Sequence, residues 1–381
     1  MEEIRRYLFK KQDEMLQLLE GLVNIDSGSY CKEGIDACGQ ILHEHLRGLG
    51  FETEVITEMD YGNHIKAKRT GKGTKRLFIS CHLDTVWPAG TVTKSPFRID
   101  GGLAYGPGVG DMKGGIVVMI YALKALHDLG QETLPISVFL TGDEELGSVR
   151  GRPYIEEEAR QSAWVLVMES SHLPGVIVVK RWGVGAFYLT IHGKAAHVMD
   201  MNKVGVNACR ELALKILALE SLSDPLSGVK VSVNLVEGGV SRQTTAPRAR
   251  ADIDVRVREA KQIEAIEKKI EQIAGVPFLP GIEIEFKGEF TRPPMEMNSS
   301  TEAFLRLATE VGREIGMDFQ PGTKGGGSDG CFTAALGVAT LDGMGPLCYD
   351  FCSDTERIEM GSLLSKTLFM AAIIQHLSKE A

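Results

Sequence analysis

The stretch RLFISCHLD, residues 76–84, decides the fold of this chain. Its first six residues are mostly apolar, as in a strand buried on both faces of a parallel sheet, and a histidine and an aspartate close the stretch. Two later stretches repeat this design, because PISVFLT (135–141) and WVLVM (164–168) are also apolar and also run into acidic residues. The sequence therefore predicts three buried strands that end in chemically useful side chains.

Helical segments alternate with these strands. Residues 112–130 (MKGGIVVMIYALKALHDLG) have the character of a helix that ends at Gly130. From about residue 178 the order changes to βαββαβ, with a strand at 185–191, a helix at 203–220, strands at 229–236 and 249–257, a helix at 259–274 and a strand at 282–287. After Pro294 the first pattern returns, and it closes with a helix at 361–378.

This order of elements predicts an α/β fold with two domains. A mostly parallel sheet with helices on both faces would be formed by residues 1–177 and 294–381. Residues 178–293 would form an inserted, ferredoxin-like βαββαβ domain.

Composition narrows the classes of function. The chain has 381 residues, of which 43% are hydrophobic and 24% charged, and a net charge of −9 with acids and bases intermixed. These values argue against a nucleic-acid or membrane partner. The seven cysteines are scattered, which favours free thiols and a cytoplasmic protein over a disulfide framework; they are Cys31, Cys38, Cys81, Cys209, Cys331, Cys348 and Cys352.

The ends of the predicted strands carry metal-type ligands. RLFISC runs into His82 and Asp84, PISVFLT into Glu144 and Glu145, and WVLVM into Glu169. Ligands of open parallel sheets bind beyond the carboxyl ends of the strands, so we expect these side chains to converge. One imidazole with several carboxylates is a donor set for divalent metals.

Asp111 adds a further acid from the Gly-rich turn GPGVGDMKGG (106–115). The spacing of His82 and Asp84 predicts that Asp84 hydrogen-bonds the imidazole and fixes its tautomer. One of the adjacent acids Glu144 and Glu145 could bind metal, while the other transfers a proton in the reaction.

Three ordered motifs resemble the signatures of one family: HLDTV (82–86), GPGVGDMKGG (106–115) and GDEELGS (142–148). This is the co-catalytic zinc exopeptidase family of glutamate carboxypeptidase, aminoacylase, acetylornithine deacetylase and succinyl-diaminopimelate desuccinylase. The resemblance covers essentially the whole chain. The segments HLDTVWPAG, SPFRIDGGLAYGPG and GGGSDG are most similar to those of the glutamate carboxypeptidase branch.

The resemblance implies a role for each of these acids. Asp111 would bridge two divalent metal ions, zinc by resemblance, with cobalt or manganese also acceptable to such ligands. His82 and Glu169 would complete one metal site, and Glu145 would bind the other ion. Glu144 would be the general base, and Asp84 would orient His82.

The resemblance also implies substrate contacts and a homodimer. In GKAAH (193–197), His197 would reach the partner subunit's active site and support the oxyanion. Arg292 in TRPP would grip a substrate carboxylate, and a loop formed by Gly325, Gly326, Gly327 and Ser328 would turn backbone N–H groups towards it. Members of the family usually dimerise through the inserted domain.

The sequence departs from the family at two positions. The family supplies a histidine as the last ligand of the second metal near the C-terminus, but this chain has no histidine between His197 and His376. Aligning Gly345-Pro346 and Glu356 with that segment places Cys352 at the ligand position, with Asp350 and Cys348 as alternatives. The second departure is Thr244, where the family often has asparagine.

Two other motifs point to different chemistry but lack its context. Residues 326–330 (GGSDG) match the nucleophile elbow of serine hydrolases, yet the only later histidine is His376, inside the last predicted helix. GPGVGD matches part of a dinucleotide fingerprint, but no long buried strand leads into it, and Asp111 would face the pyrophosphate.

We therefore predict a metallohydrolase that cleaves the amide bond of a small peptide with a free carboxylate, possibly releasing C-terminal glutamate. An N-acyl amino-acid deacylase of the same family is the first alternative. A relative that binds such ligands without turnover is the second, although it would have no need of a general base at Glu144.

Overall fold

A computed structural model describes residues 1–380 of the chain. The chain divides into two compact units. The first unit comprises Met1–Lys180, Glu296–Thr323 and the residues from Ser328 onwards, and the second comprises Arg181–Met295 and Lys324–Gly327. The second unit is thus inserted into the first. In the GGGSDG loop, Gly325–Gly327 belong to the second unit and Ser328 belongs to the first.

The helices and strands follow in this order. Up to the inserted unit they are α1 (Glu2–Lys10), α2 (Gln12–Val23), α3 (Lys32–Gly48), β1 (Glu52–Ile56), β2 (His64–Arg69), β3 (Leu77–His82), α4 (Thr91–Lys94), β4 (Arg98–Asp100), β5 (Leu103–Tyr105), α5 (Gly114–Asp128), β6 (Ile136–Thr141), α6 (Arg152–Arg160), β7 (Trp164–Val167) and β8 (Val176–Arg181). The inserted unit contains β9 (Gly183–His192), α7 (Met201–Val204), α8 (Ala208–Glu220), β10 (Lys230–Gly238), β11 (Arg248–Val257), α9 (Ile263–Gly275) and β12 (Glu283–Arg292). After it come α10 (Ser299–Glu314), β13 (Gln320–Lys324), α11 (Gly330–Ala335), β14 (Ala339–Leu341), β15 (Cys348–Tyr349), β16 (Arg357–Glu359) and α12 (Met360–Glu380).

The main sheet of the first unit has the strand order β1-β2-β6-β3-β7-β14. The neighbours β6, β3, β7 and β14 are parallel, while β1 and β2 form an antiparallel edge. Side chains of β3 alternate between two cores. Leu77 and Ile79 pack with residues of α5 and α12 on one face, and Phe78 packs with α6 and α11 on the other. Burial on both faces explains why these strands are so apolar.

Short strands complete the first unit. Strands β4, β5, β16 and β15 form a small antiparallel sheet, and β13 pairs with β8. Helix α12 packs along α5, which is buried over nearly its whole length. No helix of residues 1–380 is both long enough and apolar enough to cross a membrane.

The inserted unit is a four-stranded antiparallel sheet in the order β10-β11-β9-β12, with α8 and α9 packed on one face. Its connection order is βαββαβ. Its core is formed by inward-facing strand residues such as Leu189 and Ile253 against Leu212 and Ile270 of the helices. The predicted fold class, an α/β unit with an inserted ferredoxin-like βαββαβ unit, is confirmed.

Element boundaries differ from prediction where a cap intervenes. The helix predicted from residue 203 begins at Ala208, because the Asn207 side chain accepts hydrogen bonds from the N–H groups of Cys209 and Arg210. The unit boundaries lie at 180/181 and 295/296, slightly later than the expected 177/178 and 293/294.

Candidate metal centre

Three neighbouring parallel strands deliver the acidic segments to one edge of the main sheet. In β3, His82 pairs with Thr141 at the end of β6, and Ser80 pairs with Val167 at the end of β7. Because the strands are parallel, the residues that follow them leave the sheet side by side. The segments carrying Glu144, Glu145 and Glu169 therefore start beside His82.

His82 is buried and its two ring nitrogens have different neighbours. Nδ1 lies 2.9 Å from the backbone carbonyl oxygen of Asp84, and since a carbonyl can only accept, Nδ1 carries a proton. Nε2 lies 3.3 Å from Asp111 Oδ1 and 3.4 Å from Glu169 Oε1. The second nitrogen therefore faces two carboxylates, as a metal-binding imidazole does.

The carboxylate of Asp84 lies near the imidazole and also contacts the turn that carries the two glutamates. Its nearest oxygen is 3.5 Å from His82 Nδ1, whereas the backbone carbonyl is closer. The buried carboxylate accepts hydrogen bonds from the N–H groups of Glu144, at 3.0 Å, and Glu145, at 3.1 Å, and from the Ser29 hydroxyl at 2.8 Å. Asp84 thus holds the turn that presents both glutamates.

Asp111 lies in an irregular turn, Val109–Lys113, with non-helical dihedral angles at Asp111 (φ −114°, ψ 88°) and a cis peptide bond to Met112. Glu356, which is buried, accepts hydrogen bonds from the N–H groups of Gly110 at 2.8 Å and Asp111 at 3.0 Å. The Trp87 indole N–H donates to the same carboxylate at 3.3 Å. A distant glutamate therefore fixes the backbone that carries Asp111.

These side chains form two overlapping groups that could each hold a metal ion. The ligand atoms of His82, Asp111 and Glu145 lie within 4.8 Å of one another, and so do those of His82, Glu144 and Glu169. Buried oxygen and nitrogen donors at this density are typical of divalent-metal sites. The structure therefore brings together His82, Asp111, Glu144, Glu145 and Glu169, with Asp84 beneath them.

The electrostatics of the cluster favour a cation. Burial and the nearby carboxylates of Asp111 and Glu144 raise the pKa of Glu145 well above its usual value. Burial lowers the pKa of His82, but the carboxylates of Asp111, Asp84 and Glu169 more than compensate, so that the pKa lies well above its usual value. Among the described residues, Glu145 Oε1 is buried and accepts no hydrogen bond. The residues present thus fit a metal centre.

The three candidates for the last ligand lie in different surroundings. Cys352 Sγ is 3.4 Å from Asp111 Oδ2, at the edge of the cluster. The Asp350 carboxylate pairs with Arg357 and accepts from the Thr355 hydroxyl at 3.0 Å. Cys348 is buried, and its Sγ lies 3.5 Å from the carbonyl oxygen of Tyr349. Cys352 thus contacts a predicted ligand.

In the inserted unit, His197 lies in an exposed segment paired with Thr244. Its Nδ1 accepts a hydrogen bond from the N–H of Met199 at 3.3 Å. The neutral ring therefore carries its proton on Nε2, where it can be donated outwards.

Arg292, at the end of β12, packs against the glycine loop of the same unit. A Cβ added to Gly327 would lie 2.7 Å from Arg292 Cδ, so only glycine allows this approach. Arg181 Nη1 donates to the carbonyl oxygens of Gly326 and Gly327, both at 3.1 Å. Gly325 and Gly326 have open space on their Cα side. Arg292 and the loop thus form one assembly.

Ser328 was predicted to turn its backbone N–H towards a substrate carboxylate, and this stays a prediction. Its side chain is buried in the first unit, and its hydroxyl donates to Asp342 Oδ2 at 2.6 Å. The neighbouring Asp329 accepts from the Ser148 hydroxyl. The Ser328 hydroxyl therefore supports the loop from inside, where it bonds a carboxylate and, among the described residues, has no histidine to serve as the base of a serine nucleophile.

Comparison with known proteins identifies the chain. Residues 78–376 match Peptidase family M20/M25/M40, which is most of the chain. The chain belongs to this family. Carboxypeptidase G2 of Pseudomonas sp. (strain RS-16) is 30% identical over 370 residues, covering 95% of this chain and 88% of the relative. The succinyl-diaminopimelate desuccinylase of Thioalkalivibrio sulfidiphilus is 26% identical over 361 residues, covering 90% and 94%.

The fold agrees with solved structures of the M20 family. A tripeptidase from Staphylococcus aureus superposes with a TM-score of 0.81 at 22% identity, covering 97% of this chain and 99% of the other. The predicted family, including its similarity to the carboxypeptidase G2 branch, is confirmed. This M20 protein is a metallohydrolase of peptide or amide bonds, and the family depends on a pair of metal ions.

Two residues that support the candidate site of this M20 hydrolase, Ser29 and Glu356, were not predicted from the sequence. Ser29 contacts Asp84 from 55 positions away in the chain, and Glu356 contacts Asp111 from 245 positions away. No local pattern marks either residue, because each acts through one long-range hydrogen bond. The sequence offered one sign of Glu356, because it lies in the same segment as Cys352 and matches the family segment there.

Proposed function

We propose that this M20 metallohydrolase is a carboxypeptidase-like enzyme that cleaves the amide bond of a small peptide with a free carboxylate. C-terminal glutamate is the candidate leaving amino acid, given the similarity to carboxypeptidase G2. The observation that carries the proposal is the turn held by Asp84, which aims one glutamate at each candidate metal group. A protein that only binds peptides has no need for this arrangement.

In this proposal His82, Asp111, Glu145 and Glu169 hold two divalent cations, and zinc suits their mixture of imidazole and carboxylate. Bound there, the cations supply Lewis acidity, which polarises a carbonyl and lowers the pKa of water. Asp84 keeps the proton of His82 on Nδ1 through its backbone carbonyl, so that Nε2 is free to bind metal.

Glu144 is the proton-transfer residue of the proposal. It is buried, and its backbone N–H is anchored on Asp84, so its carboxylate has a defined position. Its carboxylate takes the proton from the attacking water and later gives it to the nitrogen of the leaving amine. Glu144 therefore ends the cycle as it began it, as a carboxylate.

Recognition of the substrate falls to the inserted unit. The guanidinium of Arg292 can form two parallel hydrogen bonds with a carboxylate, and the packed glycine loop of Gly325–Gly327 adds backbone N–H groups. The partner subunit's His197 would donate a hydrogen bond from its Nε2–H group to the oxyanion of the reacting carbonyl. The protein would then act as a homodimer joined through the inserted unit.

A cytoplasmic location completes the proposal. All seven cysteines are free thiols in the structure. Free thiols persist in a reducing compartment, whereas exported proteins usually carry disulfides.

An N-acyl amino-acid deacylase is the second candidate, because a desuccinylase covers nearly the whole chain at 26% identity. Both candidates share the metal site and Glu144, but they differ in the acyl half of the substrate. Peptidase activity predicts faster hydrolysis of dipeptides and peptidyl glutamates, whereas a deacylase prefers N-acetyl or N-succinyl amino acids. A panel of both substrate types separates them.

The test is Glu144→Gln, with Glu157→Gln on the exposed side of α6 as control. Loss of the proton-transfer group should lower kcat about 100- to 10,000-fold on the best substrate, with metal content unchanged. The control should retain full activity. Unchanged turnover by Glu144→Gln, or no hydrolysis of any panel member by the wild type, would refute the proposal.

A further inference from the structure

The histidine that relatives use as the last ligand has no counterpart in this chain, since no histidine occurs between His197 and His376. Aligning Gly345-Pro346 and Glu356 with the family segment places Cys352 at that position. Its Sγ lies 3.4 Å from Asp111 Oδ2, and the side chain is exposed at the rim of the metal-ligand cluster. Cys352 has a positive φ of 55°, and so does Asp350, at 53°. The turn they share directs Cys352 towards Asp111.

A second observation concerns the carboxylate of Glu145. Glu145 Oε1 is buried and, among the described residues, receives no hydrogen bond. A buried carboxylate oxygen without a partner is costly unless a cation or a donor satisfies it. Asp111, Glu145 and Cys352 thus bring two carboxylates and a sulfur donor together, next to the imidazole of His82.

The other candidates for this ligand are otherwise engaged. Asp350 is held by the guanidinium of Arg357 and the hydroxyl of Thr355. Cys348 is directed at the Gly110 backbone, where a Cβ added to Gly110 would lie 2.8 Å from Cys348 Cβ. Neither has a described contact with Asp111 or Glu145.

We propose that Cys352 binds the second metal ion as a thiolate, together with Asp111 and Glu145. This inference rests on the proposed two-cation site and adds a sulfur ligand to it. When the sulfur–metal bond forms, the S–H bond breaks and its proton goes to solvent.

A thiolate changes the chemistry of the second site. Histidine binds as a neutral ligand, whereas a thiolate brings a negative charge and a soft donor. The site should therefore prefer zinc, cadmium or cobalt to the harder manganese and magnesium ions. Because Cys352 is exposed, it should also react with alkylating reagents when no metal protects it.

Cobalt spectroscopy tests the inference directly, because a thiolate bound to Co²⁺ gives a strong sulfur-to-metal charge-transfer band in the near ultraviolet. The metal-free protein is titrated with Co²⁺ as wild type, Cys352→Ser, Cys352→His and Cys348→Ser. We expect the band, at the second equivalent of cobalt, in the wild type and Cys348→Ser. Cys352→Ser should lose the band and bind the second ion about 10- to 100-fold more weakly. Cys352→His should bind both ions without the band.

A labelling experiment gives a readout that does not depend on spectra. Iodoacetamide followed by peptide mass spectrometry should modify Cys352 in metal-free protein, and zinc should protect it at least tenfold. Cys209, which is half-buried in the inserted unit and is not near any predicted metal ligand in sequence, serves as the control and should react equally with and without zinc.

The outcomes separate the inference from the proposed function. A charge-transfer band that survives in Cys352→Ser, or its absence from wild type with two bound cobalt ions, overturns the thiolate assignment even if amides are hydrolysed. Zinc protection of Cys209 as strong as that of Cys352 also overturns it. A wild-type band without hydrolysis of any amide supports the assignment while the proposed function fails.

Discussion

The carboxylate of Asp84 accepts a hydrogen bond from the backbone N–H of Glu144 at 3.0 Å. The same carboxylate accepts from the N–H of Glu145 at 3.1 Å, and the Asp84 carbonyl faces Nδ1 of His82 at 2.9 Å. One buried residue thus sets both the imidazole tautomer and the turn with the two glutamates. Asp84 therefore acts on the neighbouring strand end as well as on the histidine beside it.

Replacement of Asp84 by asparagine should be costly. The amide keeps one acceptor oxygen, but its NH₂ group would face a backbone N–H, so at least one buried donor loses its partner. We expect kcat/KM and metal affinity to fall about 10- to 100-fold, and the free energy of unfolding to fall by about 1–3 kcal/mol. Steady-state kinetics, metal titration and urea denaturation measure these changes.

Ser29→Ala is the matched control for Asp84→Asn. It removes only the 2.8 Å hydrogen bond from the Ser29 hydroxyl and leaves both glutamate N–H groups on Asp84. Its effects should be smaller on all three measurements. Equal losses in the two variants would contradict the role assigned to the glutamate turn.

The strand ends were predictable from sequence, and the network beneath them was not. The apolar runs before His82 and Glu169 mark buried parallel strands, and parallel strands must end at one edge. Which donors the Asp84 carboxylate accepts from depends, by contrast, on the path of the loop that follows β6. Alternation along one strand predicts that Asp84 lies near the imidazole, but it does not indicate the shorter hydrogen bonds from the N–H groups of Glu144 and Glu145.

Glu356 offers a second test of long-range support. Its carboxylate accepts from the N–H groups of Gly110 and Asp111 and from the Trp87 indole, and burial together with Asp111 raises its pKa to about 7. Glu356→Gln replaces one acceptor oxygen by an NH₂ donor, so the turn carrying Asp111 should loosen. We expect metal affinity to drop about 10- to 100-fold.

Trp87→Phe separates the two functions of Glu356, because it removes only the indole donor and leaves the bonds to the Asp111 turn. Metal affinity should then change much less than in Glu356→Gln. Calorimetric zinc titration of both variants provides the measurement. Unaltered zinc binding by Glu356→Gln would show that the Asp111 turn holds its shape without this carboxylate.

Arg292 should determine recognition of the substrate carboxylate. Arg292→Lys keeps the charge but loses the two-pronged geometry, so KM for a substrate with a free carboxylate should rise about 10-fold or more. The ratio of kcat/KM between that substrate and its C-terminal amide should fall by a similar factor. Arg250→Lys, on the exposed sheet face of the same unit, is the control. Equal losses on acid and amide substrates would remove Arg292 from carboxylate recognition.

The GGGSDG run is divided between the two compact units. Gly327 and Ser328 are adjacent, yet Gly327 belongs to the unit that holds Arg292, while Ser328 is buried in the other unit against Asp342. A run such as GGGSDG looks like one ligand-binding loop in sequence. The division of the run between two compact units depends on long-range packing, which no local pattern encodes.

Lys366 gives a pH-dependent prediction that is independent of the metal centre. It lies inside α12, its ammonium donates to the carbonyl oxygen of Gly343 at 2.9 Å, and burial lowers its pKa from 10.5 to about 7. Between about pH 7 and 10.5 the unfolded chain binds a proton that the folded chain lacks, so this residue makes stability rise with pH. Below pH 7 both states carry the proton, and the penalty of the buried charge is fully present.

Lys366→Met keeps the length of the side chain and removes the titrating group. The free energy of unfolding of the wild type minus that of the variant should therefore increase by about 1.4 kcal/mol per pH unit above pH 7, and level off below it. Urea denaturation at several pH values from 6 to 9 measures this difference, in which other titrating groups cancel. Lys379→Met, at the exposed end of the same helix, is the control and should change stability little. A difference for Lys366→Met that is independent of pH would mean that the ammonium keeps its charge in the folded core throughout this range.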